Sequence, residues 1–327
     1  MKASLSLGAL LMVLLGTPAL AENAAHKHET TPVAAPYSAV ESDSGAASSP
    51  AAVPDASAAP EVKPDEAAFL RGMAAKARHD TARTIEEFSA AAATGHAQAE
   101  YLLGLMYLRG DGVKTDVKLA ITWFEKALTR AHALAATQLG EIYEQGIGVP
   151  KNPKRAAELY EKAALAGFST AQTRLGALFE TGTGVPRDPQ AALDWYSLAA
   201  FQNNWDAQHR LGKLLRDGET GEFDYNEARR LFEASAKNGN SYAKVSLGDL
   251  YETGRGVPRN LAKAAALYRE AAREGEPAGR ARLATLGHPP QQGGVMLAKY
   301  PRPAAKTKPV KHTTAPAPKP LQSASVQ

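Results

Sequence analysis

Hydrophobic positions along this chain alternate between two helical stripes, and the pair of stripes recurs every 36 residues. The first stripe is anchored by Leu103-Gly104, Leu139-Gly140, Leu175-Gly176, Leu211-Gly212 and Leu247-Gly248. Ala99, Ala135, Ala171, Ala207 and Ala243 stand five residues before each glycine, and Tyr107, Tyr143, Phe179, Leu215 and Tyr251 stand three after it. Apolar positions at −5, −1, +2 and +3 from the glycine share one face at the helical period, so each stripe predicts a helix. The second stripe runs through Ala120, Ala156, Ala192, Ala228 and Ala264, followed four residues later by Phe124, Tyr160, Tyr196, Phe232 and Tyr268. A period in the 20–50 range is the mark of a solenoid, which presents surface rather than a single enclosed pocket. The fold class predicted is all-α.

The polar and glycine positions punctuate these helices. Gly110-Asp111-Gly112-Val113 recurs as Gly146-Ile147-Gly148-Val149, Gly182-Thr183-Gly184-Val185 and Gly254-Arg255-Gly256-Val257, a turn that uses the positive φ glycine reaches at little cost. Asn152-Pro153 and Asp188-Pro189 place an N-cap before proline at the first helical position; Asp116, Asp224 and Asn260 hold the same cap without the proline. Gly95, Gly167, Gly239 and Gly275, with Asn203 in register, give the stop signals, and Ala131 breaks that rule. The fourth unit also departs: Gly218 keeps the first turn glycine, while Thr220 and Gly221 displace the second.

The pattern Ala-x-x-x-Leu-Gly-x-x-Tyr-x-x-Gly-x-Gly-Val, then Ala-x-x-x-Tyr/Phe and Ala-Ala before a glycine, resembles the Sel1-like repeat, a relative of the tetratricopeptide repeat. The resemblance covers residues 96–275 as five units. It implies antiparallel helix pairs stacked into a right-handed superhelix. Residues 62–95 read as a degenerate N-terminal helix pair, because Phe88 and Ala91 keep the period but the glycine turn is missing; residues 276–287 read as a C-terminal capping helix.

Composition divides what lies outside the array. Residues 1–21 have Lys2, an apolar run from Leu5 to Leu15 and Ala19-Leu20-Ala21, which predict an export signal cleaved after Ala21 rather than a membrane anchor. The mature chain is expected in the periplasm or outside the cell, and not as a transmembrane protein. Residues 22–61 are rich in Ala, Pro and Ser and are expected to be a disordered linker. Residues 288–327 are expected to be a disordered Lys/Pro tail, with six lysines and arginines and no acid; the chain's net charge of +4 therefore becomes −2 without it. Such a tail suits an anionic envelope polymer, and equally a bland solubilising role. Nucleic acid is a poor match for an exported chain. The chain has no cysteine, so neither disulfides nor lipid attachment at cysteine enters.

No catalytic constellation stands out. His26 and His28 lie on the linker, His96 and His132 read as helix-start residues, and no serine, histidine and acid group into a nucleophile motif. No cofactor is implied, and the chain is expected not to be an enzyme. Some exported relatives of the Sel1-like type are penicillin-binding hydrolases, and that resemblance keeps a cell-wall hydrolase as the alternative. Binding is the leading reading. By resemblance to tetratricopeptide proteins, first-helix positions −6, −3, +1, +4 and +5 line a concave groove for an envelope or secreted protein partner. Carried onto this chain they include Tyr101, Leu105, Leu108 and Arg109; Glu141 and Glu144; Glu180; His209, Lys213 and Arg216; and Tyr242, Asp249 and Glu252. Each also fits a solvated helix face. Tyr101, Leu105 and Leu108 are apolar where most other units are polar, so they form either an exposed anchor patch or a surface covered by the degenerate unit. Trp205 replaces small residues, and either is exposed or fills a gap left by the altered fourth turn. The resemblance further implies roles in envelope signalling or in polysaccharide and envelope assembly.

Overall fold

The computed structural model describes residues 63–286 apart from Glu222, so the expected signal, linker and tail lie outside the described residues. The described residues form thirteen helices and no strand. A short pair, α1 (Pro64–Ala77) and α2 (Thr81–Ala93), precedes five units. In these, the first or A helices are α3 (Ala97–Arg109), α5 (Ala133–Gln145), α7 (Ser169–Thr181), α9 (Trp205–Asp217) and α11 (Ser241–Thr253). The second or B helices are α4 (Val117–Thr129), α6 (Pro153–Leu165), α8 (Pro189–Phe201), α10 (Tyr225–Lys237) and α12 (Leu261–Arg273), and α13 (Pro277–Thr285) closes the array. Each A helix packs on its own B helix and on the B helix before it, which makes the molecule an all-α solenoid.

One contact sets the pairing within a unit. The glycine of each Leu-Gly pair leaves room for the aromatic ring of its own B helix, and a Cβ on Gly104, Gly140, Gly176, Gly212 or Gly248 would stand only 2.5, 2.5, 2.7, 2.6 or 2.5 Å from the ring of Phe124, Tyr160, Tyr196, Phe232 or Tyr268. Those five rings are fully buried. Burying such a side chain stabilises the fold by about 1.5–3 kcal/mol. The degenerate pair keeps the device: a Cβ on Gly72 would stand 2.4 Å from the Phe88 ring. What it lacks is the glycine turn, since α1 passes to α2 through Arg78, His79 and Asp80 alone.

The turns follow the sequence signals with two exceptions. Gly110, Gly146, Gly182, Gly218 and Gly254 are left-handed C-caps of the A helices, and Asp116, Asn152, Asp188, Asp224 and Asn260 cap the B helices through their side chains. Ala131 ends its B helix in the same left-handed geometry as Gly95, Gly167, Gly239, Gly275 and Asn203, with φ 58°. In the fourth unit the displaced Gly221 still takes a left-handed φ of 100°, and Phe223 lies against Gly218 and stacks on Tyr225 at 5.7 Å.

Candidate interaction surface

The A helices expose one face between successive units, and the side chains there interlock over about one period. His96 and His132, read as helix-start residues, are N-caps. Their Nδ1 atoms accept the backbone N–H of Ala99 and Ala135 at 3.2 and 3.3 Å. Their Nε2 atoms reach back to Glu66 at 3.2 Å and Gln98 at 2.8 Å in the preceding unit. Because Nδ1 accepts, the His132 proton sits on Nε2 and is donated to Gln98. Burial holds this imidazole down at about 4. Asn204 repeats the geometry in unit four, capping α9 through Ala207 and donating to Ser169.

The acidic positions meet specific partners. The Tyr160 hydroxyl donates to Glu144 at 2.7 Å and the Tyr196 hydroxyl to Glu180 at 2.6 Å. The Tyr268 hydroxyl lies 2.7 Å from both Asp249 and Glu252. Burial, then the adjacent carboxylate, raises the pKa of Tyr160, so the phenol stays protonated; Tyr196 and Tyr268 are raised by the same causes. A single phenolic hydrogen cannot serve two carboxylates at once. Burial raises the Asp249 carboxyl, opposed by Arg282 at 3.0 Å and by the Tyr268 hydrogen bond. Glu141 pairs with Arg174 of the next unit at 3.5 Å, Glu180 with Arg210 at 3.6 Å, and Arg216 with Asp217 at 2.7 Å and Asp249 at 4.0 Å. Glu141, Glu144, Glu180, Arg216, Asp249 and Glu252 are thus all engaged between helices or units.

Other groove positions differ. Tyr101, Leu105 and Leu108 are half-buried and pack on the core formed by their own B helix and the next unit, around Phe124, Ala135 and Leu139. Tyr101 stacks on His132 at 4.8 Å and tilts against Phe124 at 5.9 Å. The half-burial comes from the C-terminal side of α3, not from the degenerate pair. Arg109 is exposed at the rim of this patch. His209 contacts Ser246 at 3.1 Å and is held down at about 4 by burial and by Lys213. Lys213 is half-buried and forms no hydrogen bond or ion pair with the described residues. Tyr242 is 59 % exposed at the start of α11. Trp205 is 48 % exposed at the start of α9, the opposite end of that helix from the altered turn, so it does not fill that turn. Among the described residues no three histidines, cysteines or acids gather where a metal could be held, and no helix is long and apolar enough to cross a membrane.

These paired helices and their interlocked face define a helical-repeat scaffold. The Sel1 repeat profile matches residues 97–132, 133–168, 169–204, 205–240 and 241–276, more than half of the chain, and the chain belongs to the Sel1 repeat family. Such solenoids are protein-interaction scaffolds. A crystal structure of a protective antigen of uropathogenic Escherichia coli strains, displaying an SLR fold, is 35% identical with TM-score 0.58, covering 61% of this chain and 43% of its own; the present chain thus spans less than half of that relative. A Sel1 repeat protein from Oxalobacter formigenes is 28% identical with TM-score 0.58, covering 62% of this chain and 84% of its own. No curated protein matches the chain.

Proposed function

We propose that this chain is an exported, non-enzymatic adaptor or regulator that binds an envelope protein on the concave, A-helix face of its solenoid. The observation that carries this reading is the contrast along that face. In units two to five most groove positions are tied up in inter-helix hydrogen bonds and ion pairs, whereas unit one offers Tyr101, Leu105 and Leu108 beside the exposed Arg109. An aromatic, aliphatic and arginine grouping is the composition of an interface anchor. Export rests on the residue 1–21 signal pattern and its cleavage after Ala21. The partner would be bound and restrained by mass action, which suits envelope signalling or polysaccharide and envelope assembly. The cationic residues after 287 would add an electrostatic contact to an anionic envelope polymer. The solved relatives give the hydrolase alternative no support.

The test is affinity recovery from crosslinked cells of the source bacterium. The tagged chain should bring down one specific envelope protein, and R109E, an exposed change that leaves the fold intact, should weaken recovery. Y101A with L105A should abolish it while the helical spectrum of the purified variant persists. Recovery unchanged in both variants would remove this surface as the contact site.

A further inference from the structure

Large apolar side chains also stay exposed along the edge where each B helix turns into the next A helix, although Tyr242 stacks on His209 of the preceding unit at 6.3 Å. Leu165 is 60 % exposed, Phe201 92 %, Trp205 48 % and Tyr242 59 %. The first two end B helices and the last two begin A helices. At the C-terminal end of this edge is a shallow cleft of about 340 Å³, lined by Trp205, Gly239 to Tyr242, and Glu274 to Pro277. Its aromatic walls carry an indole N–H and a phenol O–H that form no hydrogen bond with the described residues. Its charged lining residues, Glu274 and Glu276, are both acidic. Glu276 is buried and caps α13. Glu274, 40 % exposed in its side chain, is paired with Lys244 and accepts from the Ser241 hydroxyl, and Lys244 also lies 3.8 Å from Glu270, so two carboxylates share one ammonium and the rim stays net anionic.

Aromatic walls with free donors and an acidic rim match a proline-rich, cationic extended segment, whose preformed helix costs little to order and presents bare carbonyls. This chain contains two proline-rich stretches, and two facts choose between them. Residues 22–61 carry six acids, Glu22, Glu29, Glu41, Asp43, Asp55 and Glu61, and join the array at Pro64, at the far end from the cleft. Residues 288–327 carry cations and no acid, and Ala315-Pro316-Ala317-Pro318-Lys319-Pro320 is three X-Pro dipeptides in succession. The chain leaves the described residues at Leu286, directly after α13, whose first residue Pro277 lines the cleft. A nine-residue helix is only about 14 Å long. The residues between Leu286 and Ala315 span a typical distance of about 30 Å even as a flexible coil, more than enough to return. Tethering at that range gives an effective concentration on the order of millimolar.

We infer that the Trp205/Tyr242 cleft is the docking site of this chain's own Ala315–Pro320 segment, with the prolines between the two aromatic side chains and Lys319 beside Glu274. The cleft shares Tyr242 with the predicted groove but lies units away from Tyr101, Leu105, Leu108 and Arg109, so this inference does not rest on the proposed partner's contact site. The experiment is zero-length carboxyl–amine crosslinking of the purified full chain, mixed from unlabelled and ¹⁵N-labelled preparations, with peptide mass spectrometry. The expected product joins Lys319 to Glu274 or Glu270 within one molecule. W205A with Y242A, both exposed sites, should lower its yield about tenfold, equivalent to about 1.4 kcal/mol. As an independent reading, changing Pro316, Pro318 and Pro320 to serine should make Trp205 more accessible to acrylamide quenching. Mixed-isotope products would overturn the inference in favour of a second copy, and unchanged quenching together with no Lys319 product would overturn it outright.

Discussion

The imidazole of His132 caps α5 only while it is neutral, because a proton on Nδ1 would face the Ala135 N–H. Its folded value is about 4 against an ordinary 6.5, and His209 is held down equally. The unfolded chain therefore binds more protons than the folded one between about 6.5 and 4. Stability is fully present above that window, falls as pH drops through it, and loses nothing more from these groups below it. Each imidazole should account for on the order of 2 kcal/mol of that loss, after allowance for its partial exposure. H132N installs the cap that units four and five use at Asn204 and Asn240 and cannot titrate. Urea midpoints from pH 7 to pH 4 should fall less steeply in H132N than in the parent; parallel curves would refute the assignment. Ala131 gives a second residue-level expectation. It adopts φ 58° where a side chain costs about 1–2 kcal/mol. Glycine removes that cost but loses roughly 0.5–1 kcal/mol of chain entropy. A131G should therefore stabilise by about 0.5–1 kcal/mol, read as a higher urea midpoint at unchanged slope.

At the scale of helix pairs, the ring-on-glycine contact decides between two opposing tendencies. Alanine is the better helix former by about 1 kcal/mol, yet a Cβ on Gly176 would stand 2.7 Å from the Tyr196 ring. The ring is fully buried and has nowhere to go, so overpacking wins and G176A should destabilise by about 1–3 kcal/mol in denaturant melts. The same tyrosine tests the hydroxyl–carboxylate lock. Y196F should cost about 1–3 kcal/mol, because Glu180 keeps only Arg210 at 3.6 Å. Unit one already shows the apolar solution, Leu108 with Phe124, so E180L with Y196F should lose less than the sum of the single changes. Helices, caps and glycine turns were legible in the sequence because each depends on residues within one or two turns of one another. The lock was legible too, though overlooked. Tyr160, Tyr196 and Tyr268 coincide with Glu144, Glu180 and Glu252, whereas Phe124 and Phe232 coincide with Leu108 and Arg216. An offset within a helix cannot tell a side chain turned into the seam from one turned outward, which is why those glutamates sat with the groove positions. The half-burial of Tyr101 was hidden for a related reason: His132, which stacks on it, lies in the next unit.

Across the whole molecule, each unit touches its neighbours and little else, so stability should be local and the ends should matter most. At the C-terminus α13 is a working cap. Buried Gly279 lies so close to α12 that a Cβ would stand 2.7 Å from the Tyr268 carbonyl oxygen. Leu283 and Leu286 pack on the core that contains Tyr268 and Ala271, and Arg282 compensates Asp249 at 3.0 Å. A chain ending at Gly275 would expose that apolar surface and leave Asp249 with Arg216 at 4.0 Å. The loss should be about 2–5 kcal/mol in the fifth unit, the range of a sizeable core deletion. Hydrogen exchange would show it directly: α11 and α12 should lose protection, α3 to α6 should keep theirs, and a chain ending at Gly287 should match the full chain in all of these helices. If protection fell evenly from α3 to α12, the array would be a single cooperative block, and the nearest-neighbour account of this solenoid would fail.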